Sequence, residues 1–205
     1  MESKAELAQA ISRLTTLYSA LENLPAAKPF AVETEALARA VLMESDTVEN
    51  RRALAYALDP LASIIVALEG PAVALPYFIE IATILRAAAD ELDTNKARQD
   101  LAVALSRMSD VTDRIEGPAA AKPYCLEEVA LARRCAHEVN TPEANLSLAG
   151  AVGRLAKVTE ALEGPGPAIR LRLEALELVA AIDTEFRTPA VRRDRAILLC
   201  WYADS

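Results

Sequence analysis

The sequence predicts an all-α protein of antiparallel helix pairs, because a phrase repeats at a fixed interval and the composition favours helices. ALEGP occurs at 67–71 and 161–165, with IEGP at 115–118 midway between them, so a glutamate recurs every 47 residues. The chain is 53% hydrophobic but only 4% aromatic, which favours helices packed closely through small side chains over β-sheet. Four copies fill the chain, and with the start of a fifth they predict about nine helices.

Each copy is predicted to contain a helix, a tight turn and a second helix, named here helix A and helix B. The residue that ends helix A should adopt a left-handed conformation, which glycine reaches without a steric penalty and asparagine reaches more easily than most residues. A proline follows each glycine and fits the first turn of helix B, where a missing N–H removes no hydrogen bond. The residues that end helix A are Asn23, Gly70, Gly117 and Gly164.

A second proline recurs in the first three copies, at Pro29, Pro76 and Pro123. If helix B starts at the first proline, this second one lies at or just beyond the first turn, where it is tolerated or bends the axis slightly. The alternative is that helix B begins only at the second proline. The sequence leaves both starting points open.

The copies form one array over residues 1–205. The last segment begins like a helix A, so we predict either the start of a fifth repeat or a capping helix. Eight consecutive apolar residues at 196–203 are unlike the polar outer face of a cap, which favours a chain cut from a longer protein or burial against another chain. The predicted boundaries are 4–50, 51–97, 98–144 and 145–191, followed by 192–205.

These patterns resemble the tetratricopeptide repeat family. The family's large-x-x-large-small pattern in helix A matches Leu105, Met108 and Ser109, and ALPYF at 74–78 is similar to its helix B opening. The stretch RQDLAVALSRMSDV, at 98–111, further resembles a bacterial subclass with a longer period, similar to arrays found beside effector domains. The interval of 47 residues departs from the family's usual repeat of about 34.

The resemblance implies a right-handed α-solenoid whose concave face is built mainly from helices A. It implies a non-enzymatic scaffold that binds a protein or peptide segment on this face. The regulatory array of a larger protein is one form that such a scaffold takes. The alternative is a self-assembling structural module, a homo-oligomer that stacks through its terminal helices. The mass of the particle distinguishes the two functions, because it rises with concentration only if the protein self-assembles.

Positions of helix A that face away from helix B supply the candidate binding residues. Three arginines at equivalent places are predicted to clamp acidic side chains of an extended segment, and Pro60 replaces the arginine of the second copy. A solvated face with local ion pairs, such as Arg107 with Asp110, is the alternative interpretation. The predicted peptide- or protein-binding residues are Arg13, Tyr56, Asp59, Arg107, Asp110, Arg154 and Lys157.

Other classes of function receive little support from the sequence. The net charge of −8 disfavours nucleic acids and anionic membranes as partners, and the absence of a signal-peptide pattern predicts a cytoplasmic protein. Cys135 and His137 are two residues apart, so on a helix they point in different directions and make a poor nucleophile–base pair. We therefore predict no catalytic site, no metal site and no cofactor.

Overall fold

The protein, described here from a computed structural model, is defined over residues 2–185, and these residues form eight α-helices and no strand. The predicted all-α class of helix pairs is confirmed. The expected ninth helix, at 192–205, lies outside the described residues. The helices are α1 (Glu2–Ala20), α2 (Leu24–Glu44), α3 (Val48–Glu69), α4 (Pro71–Leu92), α5 (Asn95–Glu116), α6 (Pro118–Val139), α7 (Pro142–Glu163) and α8 (Pro165–Glu185).

The helix starts follow the interval of 47 residues read from the sequence. Helix A of the last three copies begins at Val48, Asn95 and Pro142, and helix B begins 47 residues apart in all four copies. Helix B therefore starts at the first proline, and the alternative start at the second proline is wrong. The second prolines lie inside the helices, where each removes one backbone hydrogen bond without ending the helix.

A single glycine turns the chain from helix A into helix B in the last three copies. Gly70 has φ 99° and ψ 165°, and Gly117 and Gly164 are similar. The predicted positive φ is confirmed, but ψ is near 180°, outside the left-handed helical region and in one that essentially only glycine occupies. The amide of Gly70 donates to the carbonyl of Ile65 (3.1 Å), so the same residue ends α3 and precedes α4.

The first copy lacks this glycine, and its turn is longer. The prediction that Asn23 takes a positive φ is wrong, because its φ is −97° and Glu22 takes the positive value of 56°. No residue with a Cβ adopts the backbone conformation of Gly70 without strain. In the first copy, residues 21–23 therefore form the turn that Gly70 alone forms in the second copy. The side chain of Asn23 instead accepts a hydrogen bond from the amide of Ala26 (3.3 Å) and caps α2.

The turns from helix B to the next helix A use a different device. Asp93 and Asn140 end α4 and α6 in the left-handed conformation, with φ of 44° and 41°. Asp and Asn tolerate this conformation better than other residues with a Cβ. A threonine then caps each following helix A through its hydroxyl, which accepts an amide hydrogen bond. These caps are Thr47, Thr94 and Thr141.

The chain divides into two compact units, Met1–Asp93 and Thr94–Ser205, here called unit 1 and unit 2. Within each unit, every described helix packs on the next one along the chain. The repeat boundaries and the single array over 1–205 stay predictions.

The core of each described unit is built from the apolar stripe of helix A and the alanine-rich face of helix B. In unit 2, Leu148 and Leu155 of α7 pack with Val129 of α6 in one buried cluster. Cys125 belongs to this cluster and Cys135 is also buried, so both are small core residues. Cys200 lies outside the described residues.

One described helix, α4, is long and apolar enough to cross a membrane by length and composition alone. Its most apolar window has a mean hydropathy of 1.5, and 39% of that window is buried inside the protein. Phe78, Ile81 and Leu85 are among its buried residues. α4 packs on α3, as a core helix of a soluble protein does.

Candidate protein-binding grooves

Each unit contains an open groove between its two A helices, with helix B of the first pair as its floor. The unit 1 groove lies between α1 and α3 above α2 and has a volume of about 560 Å³. The unit 2 groove lies between α5 and α7 above α6 and has a volume of about 280 Å³. Many lining positions coincide after a shift of two repeats, including Ser12 with Ser106 and Ala38 with Ala132. The two grooves are therefore one feature of the repeat, present in both units.

The unit 1 groove is lined by small, mostly uncharged side chains and one aromatic ring. Thr34, Ala38 and Val41 form the floor. Tyr56 projects from α3 at the wall and is 46% exposed. The Arg52 guanidinium lies 5.7 Å from the ring centre, and its Nη2 donates to the Tyr56 hydroxyl (2.8 Å). This pair holds the ring in place and leaves an apolar surface for a bound segment.

A charged pair occupies the floor and wall of the unit 2 groove. Glu128, only 3% exposed, stands where unit 1 has Thr34, and Arg154 stands where unit 1 has Pro60. Nε of Arg154 donates to Oε2 of Glu128 (3.1 Å), and Nη2 donates to Oε1. This two-point contact fixes the guanidinium and satisfies both carboxylate oxygens.

Burial controls the protonation of this pair. Burial raises the pKa of Glu128 above its ordinary value, although the hydrogen bonds and charge of Arg154 act in the opposite direction. Burial also acts to lower the pKa of Arg154, but the Glu128 carboxylate and the charge of Asp110 outweigh it, so the net shift is upward. Arg154 therefore remains charged, and Glu128 is the member that responds to pH.

The rim of the unit 2 groove carries further charges. Nζ of Lys96 lies 2.8 Å from Oδ1 of Asp100, one turn later on α5. Gln99 and Glu143 add further polar side chains from α5 and α7. The unit 2 groove is therefore smaller and more highly charged than the unit 1 groove, on the same backbone frame.

The structure places the seven predicted binding residues in three settings. Tyr56 lines the unit 1 groove and Arg154 lines the unit 2 groove. Arg13 is exposed on α1, and Asp59 is half-buried on α3. The remaining three, Arg107, Asp110 and Lys157, lie near Arg154 in unit 2.

These last residues form a charge cluster between α5 and α7. Nζ of Lys157 lies 3.4 Å from Oδ2 of Asp113, and the Lys157 side chain is 72% exposed. Partial burial raises the pKa of Asp110, and the positive charges of Arg154, Lys157 and Arg107 oppose the shift. We define the charge cluster as Arg107, Asp110, Asp113 and Lys157. Three of these are predicted binding residues. The Lys157–Asp113 pair is local ion pairing of the kind that the alternative interpretation describes.

The sequence analysis missed the groove floor. Glu128 was not singled out, although it is a charged residue between Cys125 and Val129 on the apolar face of α6. A charge at a core position was the available signal, because such a residue needs a partner. The other charged and amide residues of the lining had no comparable signal, because their sequence pattern is that of ordinary surface residues. They are Lys96, Gln99, Asp100 and Glu143.

The described residues provide no arrangement typical of catalysis or metal binding. They contain no group of three His, Cys, Asp or Glu side chains able to hold a metal ion. Sγ of buried Cys125 lies 3.0 Å from Oγ of Ser109, and burial raises the pKa of the thiol. A neutral, buried thiol is a poor nucleophile.

Comparison with known proteins supports the fold. No protein-family model matches this chain, and no curated protein matches it. The structure is similar to the crystal structure of BtubC (BKLC) from P. vanneervenii, with a TM-score of 0.70 and 19% identity over 89% of this chain and 67% of that chain. It is also similar to the DHF58 filament protein, with a TM-score of 0.54 and 19% identity over 95% of this chain and all of that chain. At these identities the likeness shows the fold alone.

Proposed function

We propose that this protein is a non-enzymatic scaffold whose repeats are of the tetratricopeptide type and whose grooves bind a segment of another protein. The observation that carries the proposal is the recurrence of one open groove at equivalent positions in both units. Small side chains keep the groove open, while helix packing beneath it fixes its shape. A rigid, largely preformed groove suits an extended or helical segment.

The unit 1 groove supplies the apolar part of the binding surface. Tyr56 is partly exposed and anchored by Arg52, so it offers contact area at a small entropic cost. Ala53 and Ala57 leave space on either side of the ring. An apolar side chain of the bound segment would pack here.

The charge cluster of unit 2 supplies the polar part. Arg154 is engaged with Glu128, so the acidic-segment clamp assigned from sequence to three arginines is transferred to Arg107 and Lys157. Lys157 reaches into solvent and can pair with a carboxylate of the bound segment. We therefore propose that the unit 1 groove takes a segment with a large apolar side chain and that the unit 2 cluster takes an acidic segment.

Selection from a library of short random peptides displayed on phage tests this function. The selected peptides should include some with a large apolar residue and others enriched in Asp and Glu. The apolar peptides should lose about tenfold in affinity with Tyr56→Ala, and the acidic ones with the pair Arg107→Glu and Lys157→Glu, a loss of about 1.4 kcal/mol in each case. Arg170→Glu, an exposed position on α8, is the matched charge-reversal control and should change nothing. The proposed function would be ruled out if no peptides were selected, or if neither Tyr56→Ala nor the Arg107→Glu and Lys157→Glu pair changed the affinity.

Self-assembly through terminal helices, the alternative predicted from sequence, stays a prediction, because the apolar segment 196–203 lies outside the described residues. Light scattering over a dilution series separates the two functions, since end stacking requires a mass that rises with concentration. We also propose that the protein is located in the cytoplasm of a bacterium. The packing of α4 within unit 1 is consistent with a soluble protein.

A further inference from the structure

A stripe of leucines lies exposed along the outer side of α1. Leu7, Leu14 and Leu17 are 48%, 39% and 55% exposed, although they follow the helical spacing of a packing face. Ile11 and Thr15, which lie on the neighbouring side of the same helix, are buried. α1 therefore has two apolar sides, and only one of them is covered.

The equivalent side of the second helix A in each unit is covered by helix B of the repeat before it. In α3 the matching residues are Leu54, Leu61 and Ile64, all buried, and α2 packs on this helix. In unit 2 the matching residues of α7 join Cys125, Val129 and Ala132 of α6 in the core cluster. On α1 this side is exposed in the described part of the chain. The stripe therefore matches the receiving side of a repeat-to-repeat interface. The matching residues of α7 are Leu148, Leu155 and Val158.

Two glutamates complete this interface where its covering helix is present. In unit 1, Nζ of Lys28 lies 2.6 Å from Oε1 of Glu69, and Arg39 makes two hydrogen bonds of 2.7 Å to Glu80. In unit 2 the same two contacts recur two repeats later. The covering helix thus brings two basic residues, eleven positions apart, to two fixed carboxylates. The unit 2 pairs are Lys122 with Glu163 and Arg133 with Glu174.

The first repeat carries both carboxylates. Glu22 is the counterpart of Glu69, and Glu33 is the counterpart of Glu80. Both are exposed, and neither forms an ion pair with another residue in the described part of the chain. The leucine stripe and the two carboxylates together reproduce the surface that α3 and α4 present to α2. We call Leu7, Leu14, Leu17, Glu22 and Glu33 the N-terminal face.

We propose that the N-terminal face docks an amphipathic helix of a partner protein that carries lysine or arginine at positions i and i+11. Eleven residues span about 16 Å of helix, so the two bases would lie three turns apart on one side. The apolar residues between them would cover the leucine stripe. This surface is separate from the grooves and needs a helical ligand rather than an extended one.

Among the described helices, a second copy of this chain offers no such basic pair that is not already bound. In α8 the positions that correspond to Lys28 and Arg39 are Ile169 and Ala180, which carry no charge. In α4 the first of these positions is Leu75. The basic pairs of α2 and α6 already bind glutamates of their own units. The charge pattern therefore favours a different protein as the occupant.

A labelled peptide with the sequence of residues 24–44 is the probe, because α2 is the helix that covers α3. Fluorescence anisotropy with the full chain should show saturable binding of this peptide. A control peptide with Lys28→Glu and Arg39→Glu should bind about tenfold more weakly, and Leu14→Glu in the protein should have a similar effect on the original peptide. Leu126→Glu, at an equally exposed leucine of α6, is the matched control and should bind as the unchanged protein does.

A charge swap distinguishes docking at this face from nonspecific adhesion. The protein variant with Glu22→Lys and Glu33→Lys should lose affinity for the original peptide and regain it for the control peptide. Circular dichroism should show unchanged helical content, since both positions are exposed. The proposal is overturned if the peptide fails to bind, if the swap gives no recovery, or if sedimentation shows a dimer that Leu14→Glu dissociates, because a second copy would then be the occupant. Loss of groove binding in the phage selection leaves all three readouts unaffected, so the two proposals fail independently.

Discussion

At the scale of single residues, three glycines determine how each helix pair is closed. Gly70, Gly117 and Gly164 hold a positive φ with ψ near 180°, and one residue reverses the chain. An added Cβ at Gly70 would meet nothing within 4 Å, so the requirement for glycine comes from the backbone and not from crowding. The sequence predicted the position of this turn correctly, but the residue pattern could not distinguish the two positive-φ regions that glycine occupies.

Gly70→Ala should lower the free energy of unfolding by about 1 to 3 kcal/mol, the usual cost of a backbone conformation that Cβ disfavours. Gly150→Ala is the control, since Gly150 lies inside α7 and its added Cβ would be 3.8 Å from the Arg154 guanidinium, an ordinary contact. That change should raise stability by about 0.5 to 1 kcal/mol. Urea denaturation measures both, and equal effects of the two changes would contradict this account of the turn.

The stability of unit 2 also depends on the buried Glu128–Arg154 pair. The Glu128 side chain is 4% exposed and the Arg154 side chain is 22% exposed, so the carboxylate depends more heavily on its partner. Arg154→Met should cost about 3 kcal/mol, because it leaves a buried carboxylate without a counter-charge. Glu128→Gln should cost less, since the guanidinium retains some contact with water.

The cost of Arg154→Met should also depend on pH. Burial raises the pKa of Glu128 above its ordinary 4.5, and removal of Arg154 raises it further. A carboxyl group with a raised folded-state pKa contributes stability below its unfolded pKa, and this contribution is lost as the pH rises through the folded value. The deficit of Arg154→Met should therefore grow as the pH rises above the ordinary pKa of Glu128. Thermal denaturation at several pH values measures it, and a deficit independent of pH would contradict the assignment.

At the scale of helices, threonine caps define where each later helix A begins. Thr47, Thr94 and Thr141 recur every 47 residues, and each hydroxyl accepts an amide hydrogen bond from three residues ahead. These caps were not predicted from the sequence. The available signal for the caps was a threonine that recurs every 47 residues.

Thr141→Ala should reduce the free energy of unfolding by about 1 kcal/mol, because the amide of Ala144 loses its acceptor. Thr83→Ala is the matched control on α4, where the hydroxyl donates to the Ile79 carbonyl one turn earlier. Removing that bond in a helix interior should leave stability unchanged or slightly higher, since alanine has the higher helix propensity. Chemical denaturation of both variants is the measurement. A Thr141→Ala protein as stable as the original chain would show that the cap contributes nothing.

At the scale of the molecule, one repeat frame carries two chemically different grooves. The periodicity of turns and apolar residues was enough to predict the helix pairs, and two of the predicted binding residues, Tyr56 and Arg154, line the grooves. It could not predict the difference between the grooves, which depends on two substitutions, Thr34 against Glu128 and Pro60 against Arg154. Nor could projection of helix A positions show that Arg154 is engaged with the floor, because its partner lies on α6 and far away in sequence.

The central claim is that the unit 1 groove and the unit 2 charge cluster each bind a segment of another protein. Hydrogen–deuterium exchange of the full chain, with and without a peptide obtained by phage selection, tests it most directly. The account predicts slower exchange in α3 beside Tyr56 and in α5 and α7 beside the charge cluster, with no change on the outer side of α8. Protection confined to residues outside both grooves, or no protection at saturating peptide, would contradict it.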